Sequence, residues 1–239
     1  MATESNVGTL NFASTGLTVP DFDPHEQGHC VHTRLHKGHG IAATIANSKH
    51  QGGVAVTWRV ESEGAAHSKP NFDAESFQRH GPNCMSQLCR FAAFKWSTTA
   101  ACLLPDTLED LHHVQTAFNC FGDDRATPIL MADLNVDLHS PAPDLRTRQV
   151  ADFLAANGVE DMLQHFHSRQ RFRHQKTWHQ KRHNPDGTIQ TILGSRTDHV
   201  MTSPALRRHF RNMQLIDPRI HPSDHCVIKA TIKGAPRKA

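Results

Sequence analysis

The 239-residue sequence has no tyrosine, no Cys-x-x-Cys pair and no long apolar run. Because no run of about eighteen apolar residues occurs, a transmembrane helix is excluded. The first six residues are polar and carry no basic segment followed by an apolar one, so we expect no secretory signal. These absences predict an intracellular protein, nuclear or cytoplasmic, with no membrane partner.

The cysteines and histidines do not form the pattern of a zinc finger. The six cysteines are scattered along a chain large enough to fold without cross-links, which predicts reduced thiols. The 20 histidines include two close groups, at positions 32, 36 and 39 and at positions 174, 179 and 183. Without paired cysteines beside them, we expect no zinc site there. The net charge of +3 is too small to indicate a nucleic-acid partner by itself.

Strand and helix patterns alternate along the chain. Alternating apolar residues and short apolar runs predict strands, and apolar residues at helical spacing predict helices. The predicted strands are residues 52–60, 128–132, 192–201 and 226–232, and the predicted helices are residues 107–118, with Thr107 as N-cap, and 146–157. This alternation indicates one α/β domain that spans residues 1–239.

Three short polar segments follow or end apolar strands in the C-terminal half. They are Met-Ala-Asp-Leu-Asn at 131–135, Ser-Arg-Thr-Asp-His at 195–199 and Ser-Asp-His at 223–225. Each segment alone is common, since Asp-x-Asn is usually a turn and Ser-Asp-His is often a helix cap. Strand ends bring such side chains into one cleft, and converging carboxylates there suit a hard cation such as Mg²⁺ or Mn²⁺.

The order of these segments resembles the endonuclease/exonuclease/phosphatase superfamily, whose motifs are Gly-Asp-x-Asn, Ser-Arg-x-Asp and Ser-Asp-His. The sequence is most similar to the endonuclease domain of non-LTR retrotransposons. Further segments share this similarity: residues 32–34, 38–39, 48–56, 81–84, 158–162, 176–178, 210–212 and 217–219. The resemblance implies a four-layer α/β sandwich of the pancreatic-deoxyribonuclease type that nicks DNA with Mg²⁺ or Mn²⁺. The reverse transcriptase domain that usually follows is not in this chain.

The resemblance also implies a role for each motif residue. Asp133 would orient or deprotonate the attacking water, and Asn135 would hold a phosphate oxygen. Asp224 would help to hold the metal ion. His225 would contact the scissile phosphate and would be oriented by Asp198, as a carboxylate orients an imidazole elsewhere.

Several positions depart from the family pattern. Ser14 stands where the family has its metal-binding glutamate, and a serine hydroxyl is a weak magnesium ligand. Cys102 stands at the position of a phosphate-contacting tyrosine, and His199 stands where the second motif continues with tyrosine. The family's first strand, with its asparagine, is expected to be lacking. These departures leave an alternative open, a catalytically degenerate remnant that at most binds nucleic acid.

The stretch 165–183 has six lysines and arginines and no acidic residue. On charge alone a solvated loop is favoured, whereas in the family context the stretch would contact phosphates through Arg171, Arg173 and Lys176. Trp178 could stack on a base or pack under the loop, and both remain open. The basic stretch and the lack of a membrane-binding segment argue against a third possibility, a phosphomonoesterase or lipid phosphodiesterase.

Overall fold

The computed structural model describes residues 7–12, 39–43, 55–59, 71–72, 76–91, 94–122, 126–166, 175–216 and 224–233. Ser14, Arg171 and Arg173 lie outside these ranges. The strands are β1 (Val7–Phe12), β2 (His39–Ala43), β3 (Ala55–Arg59), β4 (Asn71–Phe72), β5 (Gln78–Gly81), β6 (Cys84–Phe91), β7 (Phe94–Cys102), β8 (Thr127–Asp133), β9 (Glu160–Asp161), β10 (Trp178–His183), β11 (Ile189–Ser195), β12 (Asp198–Thr202), β13 (Phe210–Ile216) and β14 (Val227–Lys233). The helices are α1 (Asp110–Cys120), α2 (Leu145–Ala156), α3 (Leu163–Phe166) and α4 (Pro204–Arg207).

The largest sheet has seven strands, in the order β4-β6-β7-β8-β12-β9, with β5 paired to β6. Strand β8 lies inside it, parallel to β7 and antiparallel to β12. Its residues from Ile129 to Asp133 are all buried, which explains why it reads as a continuous apolar run. A three-stranded sheet has the order β1-β14-β13, and β2-β3 and β10-β11 form two antiparallel pairs.

Alternate residues of the large sheet face two different cores. One core, which we call the inner core, joins the large sheet to the three-stranded sheet. Its members from the two sheets include Trp96, Ala100, Ile129, Met131, Val200, Met213, Ile228, Ala230 and Ile232. The two sheets therefore pack face to face.

The outer core lies on the other face of the large sheet, against helices α1 and α2. It includes Ala101, Val114, Ala117, Leu130, Ala132, Val150, Leu154 and Met201. The predicted α/β sandwich is thus confirmed as helices, a mixed sheet and a second sheet. The two longer helices both pack on this outer face, so the helical layer expected beyond the three-stranded sheet is not seen among the described residues.

Three local predictions need correction. The strand predicted for 192–201 is two strands, because Arg196 and Thr197 leave the ladder. The amide of Arg196 contacts Asp137 Oδ2 at 3.3 Å, and the carbonyl of Thr197 accepts from the amide of Leu134 at 2.8 Å. The basic stretch is also not only loop, since its last six residues form β10.

The third correction concerns the start of α1. Its N-cap is Glu109 rather than Thr107, and the Glu109 side chain makes no capping hydrogen bond. The side chain of Asp110, the first residue of α1, accepts a hydrogen bond from the amide of Leu104 at 3.1 Å. A contact with the preceding loop therefore displaces the local capping preference.

Helix α2 begins and ends within a residue of its predicted bounds. Its N-cap Asp144 accepts from the amide of Thr147 at 2.7 Å. Gly158, just beyond its end, has a positive φ of 63°, a conformation that glycine adopts without strain. No helix in the described part of the chain is long and apolar enough to cross a membrane. Strand β1 pairs with β14, and the expected lack of the family's first strand stays a prediction.

Candidate active site

A row of polar side chains crosses three neighbouring strands where they meet one edge of the large sheet. Cys102 at the end of β7 is paired with Asp133 at the end of β8, and Asp133 is paired with Asp198 at the start of β12. All three alternate in phase with inner-core residues of their own strands. The three side chains therefore lie on the same face of the sheet as the inner core. At this edge the apolar residues of that face give way to acidic ones.

Asp133 is a buried carboxyl group, with 4% of its surface exposed. Its Oδ1 accepts from the amide of Asn135 at 3.1 Å, and its Oδ2 lies 4.0 Å from Cys102 Sγ. Burial, and then the charge of Asp198, raise the pKa of Asp133 to about 6. A carboxylate with a pKa near neutrality is suited to accept a proton during a reaction.

Asp198 and His225 form a pair inside the row. Asp198 is 1% exposed, and its Oδ2 lies 2.9 Å from Nδ1 of His225. Burial lowers the pKa of His225, but the hydrogen bond and the charge of Asp198 outweigh burial, so the net shift is upward. The pair thus favours a protonated imidazole at the edge of the cleft.

Thr177 holds the start of β12 in place. Its hydroxyl oxygen accepts from the amides of Thr197 and Asp198, at 3.0 and 2.9 Å. Its carbonyl accepts from the amide of Cys226 at 2.6 Å. One buried threonine therefore joins the two segments that carry Asp198 and His225. The sequence pattern gave Lys176 and Trp178 possible nucleic-acid contacts and assigned Thr177, between them, no role.

Asp224 forms hydrogen bonds with the first two residues of β10. The carbonyl of Asp224 accepts from the amide of His179 at 2.9 Å. The indole Nε1 of Trp178 donates to Asp224 Oδ2 at 3.0 Å. Cys226, which precedes β14, is 5% exposed and lies in the interior. Asp224 itself is exposed beside His225.

Asn135 adopts a backbone conformation with φ of 51°, in the left-handed region that asparagine tolerates better than most residues. One hydrogen of its side-chain amide is donated to the carbonyl of Leu103 at 2.7 Å. This bond fixes the amide two residues beyond Asp133, at the same edge of the sheet.

The structure brings together part of the predicted site. Suitable ligand atoms of Asp133, Asp198 and His225 all lie within 4.8 Å of one another. Asp198 Oδ1 is buried and has no hydrogen-bond partner among the described residues. Two buried carboxylates, one with an unsatisfied oxygen, fit a divalent cation. Asp224 is not in this group, and its role as a metal ligand stays a prediction.

Of the residues predicted to contact nucleic acid, two are described. Lys176 Nζ lies 3.4 Å from Asp137 Oδ2, and Trp178 bonds to Asp224 as above. Lys176 and Trp178 flank Thr177, and Trp178 is the first residue of β10. Arg171 and Arg173 lie outside the described residues, as does Ser14.

A second polar cluster lies on the opposite face of β12 and was not expected from the sequence. Buried Asp161 forms an ion pair with Arg196, and its Oδ2 lies 3.0 Å from His199 Nδ1 and 3.3 Å from His139 Nε2. His199, which stands at a family tyrosine position, is fully buried. Burial raises the pKa of Asp161, but the two imidazole hydrogen bonds and the charge of Arg196 together hold it well below its usual range.

No family profile matches the sequence, and no curated protein matches it either. Solved structures do match. The endonuclease domain of TRAS1, a telomere-specific non-LTR retrotransposon, superposes with a TM-score of 0.58 at 15% identity, covering 85% of this chain and 83% of that domain. An AP endonuclease from Archaeoglobus fulgidus superposes with a TM-score of 0.57 at 18% identity, covering 95% of this chain and 88% of that one.

An endonuclease/exonuclease/phosphatase family protein from Leptotrichia buccalis superposes with a TM-score of 0.52 at 14% identity, covering 82% of this chain and 71% of that one. At such identities the likeness is one of fold. The resemblance first found in three short motifs is confirmed at that level: this chain has the endonuclease/exonuclease/phosphatase fold.

Proposed function

We propose that this chain is a divalent-metal-dependent phosphodiesterase that nicks DNA, of the type that retroelements encode. The convergence of Asp133, Asp198 and His225 at one sheet edge carries the proposal. These residues are 92 positions apart along the chain from first to last, yet their ligand atoms lie within 4.8 Å of one another. DNA is the proposed partner, inside the cell.

Asp133 is the proposed proton acceptor. Its raised pKa, about 6, leaves it ionised at neutral pH but basic enough to take a proton from water. The water oxygen forms the new bond to phosphorus, and the bond from phosphorus to the leaving oxygen breaks.

His225 is the proposed stabiliser of the negative charge that develops on the phosphate. Its hydrogen bond to Asp198 favours the protonated ring, which is the form that attracts an anion. Asn135 would bind a phosphate oxygen through the amide hydrogen not donated to Leu103. A bound Mg²⁺ or Mn²⁺, with Asp224 as its proposed protein ligand, would neutralise charge on the scissile phosphate.

Basic residues of the stretch 165–183 are proposed to hold the DNA. Arg171, Arg173 and Lys176 would contact phosphates, which makes binding fall as salt rises. The indole N–H of Trp178 is used by Asp224, so its contact with a base would be through the ring face.

The second candidate is a catalytically degenerate remnant, and Ser14 favours it. A neutral hydroxyl in place of the family glutamate weakens binding of a hard cation. We therefore expect poor or no nicking by the natural chain and faster nicking by a Ser14→Glu variant.

A supercoiled-plasmid nicking assay with Mg²⁺ or Mn²⁺ tests both candidates. In the natural chain and in the Ser14→Glu background, Asp133→Asn or His225→Ala should lower the rate by about 10²–10⁴-fold. Asp152→Asn and His112→Ala, which change exposed residues of α2 and α1, are the matched controls and should nick normally. Rapid nicking by the natural chain would exclude the remnant. No nicking by either background with either metal would refute the endonuclease proposal.

A further inference from the structure

Trp178 is joined through its backbone to the segment that carries the Ser-Asp-His motif. It forms an isolated antiparallel bridge with His225. The amide of His179, the next residue, donates to the carbonyl of Asp224 at 2.9 Å. The Trp178 side chain therefore starts from a backbone position that is fixed relative to Asp224.

The Trp178 side chain adds a direct contact with the Asp224 carboxylate. Its indole Nε1 donates to Asp224 Oδ2 at 3.0 Å. Within the described part of the chain, the carboxylate accepts no other hydrogen bond, so Oδ1 is left for a further ligand. An indole N–H only donates, so it cannot itself bind a cation. Its effect on a metal ion must pass through the carboxylate.

The orientation of Asp224 matters because this residue lies at the rim of the site. It is exposed, and it is not in the group of close ligand atoms formed by Asp133, Asp198 and His225. An exposed carboxylate that has no partner rotates freely and loses that freedom when it binds an ion. A hydrogen bond that already holds the carboxylate lowers this cost, and carboxylates that bind metal ions usually have such a partner.

We propose that Trp178 is a positioning residue whose indole N–H orients Asp224 and thereby strengthens the binding of Mg²⁺ or Mn²⁺. This inference rests on the proposed function, in which Asp224 is the metal ligand, and it gives Trp178 a role that is separate from contact with a base. The N–H serves the metal ligand, whereas the ring face is the part that a base could stack on.

The two roles of Trp178 depend on different parts of the side chain, so two substitutions separate them. Trp178→Phe keeps an aromatic face, which is what stacking on a base requires, but removes the N–H. It should weaken metal binding and leave the affinity for a DNA duplex in EDTA close to that of the natural chain. Trp178→Ala removes both parts and should weaken metal binding as well as any contact with a base.

Titration of the full chain with Mn²⁺, followed by the electron paramagnetic resonance signal of free Mn²⁺, tests the inference without any nicking. It is carried out in the natural chain and in the Ser14→Glu background. Trp178→Phe should raise the dissociation constant for Mn²⁺ by about tenfold. We expect the low end of the usual range because the bond to Asp224 is exposed.

A double-mutant cycle with Asp224→Asn shows whether Trp178 acts through Asp224. Asp224→Asn should weaken Mn²⁺ binding at least as much as Trp178→Phe does. Addition of Trp178→Phe to Asp224→Asn should then have little further effect, because the carboxylate that the indole orients is already absent. A merely structural role of the ring would instead give additive losses.

Trp96→Phe is the matched control, because it makes the same chemical change in the inner core. Trp96 lies six residues before Cys102 on β7, which places it about 20 Å from the row at the sheet edge. The variant should bind Mn²⁺ as the natural chain does, and circular dichroism should show that every variant is folded.

Unchanged Mn²⁺ affinity in folded Trp178→Phe would overturn the inference. So would unchanged affinity in Asp224→Asn, or additive losses in the double variant. Failure of both backgrounds to bind Mn²⁺ would overturn it together with the metal dependence of the proposed function. Mn²⁺ binding that depends on Trp178 and Asp224, without nicking of plasmid, would refute only the proposed nuclease activity.

Discussion

Thr177 is fully buried, and the backbone amides of Thr197 and Asp198 both donate to its hydroxyl oxygen. Thr197 lies just before β12 and Asp198 is its first residue, so this hydroxyl holds the backbone where the strand begins. At the scale of the residue, the position of the Asp198 carboxylate thus depends on an acceptor 21 positions earlier in the chain.

Thr177→Val should therefore destabilise the protein, because it keeps the shape but removes the acceptor. Each buried amide left without a partner costs about 1–3 kcal/mol. The free energy of unfolding, from chemical denaturation, is the measurement. Thr177→Ser keeps the hydroxyl and is the control. Equal stability of the valine and serine variants would show that the hydroxyl is not needed.

At the scale of the element, helix α1 packs on strand β5 through a position that admits no side chain. A Cβ added to Gly81 would lie 2.6 Å from Nδ1 of His113 and 2.8 Å from its Cγ. The clash reaches the base of the imidazole ring, so a small rotation of the ring cannot relieve it. The glycine at 81 therefore sets how closely the helix approaches the sheet.

Gly81→Ala should lower the free energy of unfolding by about 1–3 kcal/mol, as overpacking does in other interiors. In the Gly81→Ala, His113→Ala double variant the clash is gone, so part of the loss should be recovered. A double-mutant cycle measures this coupling, expected at about 0.5–3 kcal/mol. Additive effects of the two changes would mean that the ring and the glycine do not limit the packing.

The local sequence pattern predicts the bounds of some helices and strands better than those of others. Strand β8 and helix α2 are strongly patterned locally, and both form within one or two residues of the predicted bounds. The start of α1 and the break between β11 and β12 were predicted wrongly. In both cases a side chain contacts backbone outside its own element: Asp110 accepts from the amide of Leu104, and Asp137 contacts the amide of Arg196.

At the scale of the molecule, the Asp161 cluster ties together parts that are distant in sequence. Asp161 in β9 contacts the Arg196 linker, His199 of β12 and His139 of the loop after β8, and its Oδ1 accepts from the amide of Leu163 in α3 at 2.9 Å. Apart from His139, which is exposed, the cluster is buried on the helix side of the sheet, behind the candidate active site. Loss of these contacts is therefore expected to lower the free energy of unfolding of the whole protein.

The stability of the whole molecule should fall in acid partly through Asp161. Its pKa in the folded chain is depressed, so its contribution is fully present above the unfolded value of about 3.9 and is lost progressively as pH falls below about 4. Asp161→Asn should remove this part of the pH dependence. It should also cost about 3–5 kcal/mol at neutral pH, because the Arg196 charge is left buried without its partner.

Glu160→Gln is the matched control for that measurement. Glu160 is the preceding residue but pairs with the half-exposed Arg207, and such surface pairs contribute about 0–1 kcal/mol. Unfolding free energies measured from about pH 6 to pH 3 should have the same slope in Glu160→Gln as in the natural chain. An unchanged slope in Asp161→Asn would contradict the assigned role of Asp161.

The sequence by itself determined the α/β class, the order of the three motifs, and the strand and helix that bear local patterns. Periodicity and capping residues report on neighbours within a few positions, so they predict these features well. They also identified Asp133, Asp198 and His225 as polar residues at strand ends.

Only the tertiary structure decided which side chains share a row. Strand register sets Cys102 beside Asp133 and Asp133 beside Asp198, and no local pattern encodes register between strands separated by a helix or a long connection. Burial then decides their chemistry, since removal from water raises the pKa of Asp133 and, among the described residues, leaves Asp198 Oδ1 without a hydrogen-bond donor. Thr177 and the Asp161 cluster escaped prediction for the same physical reason: their partners come from across the fold.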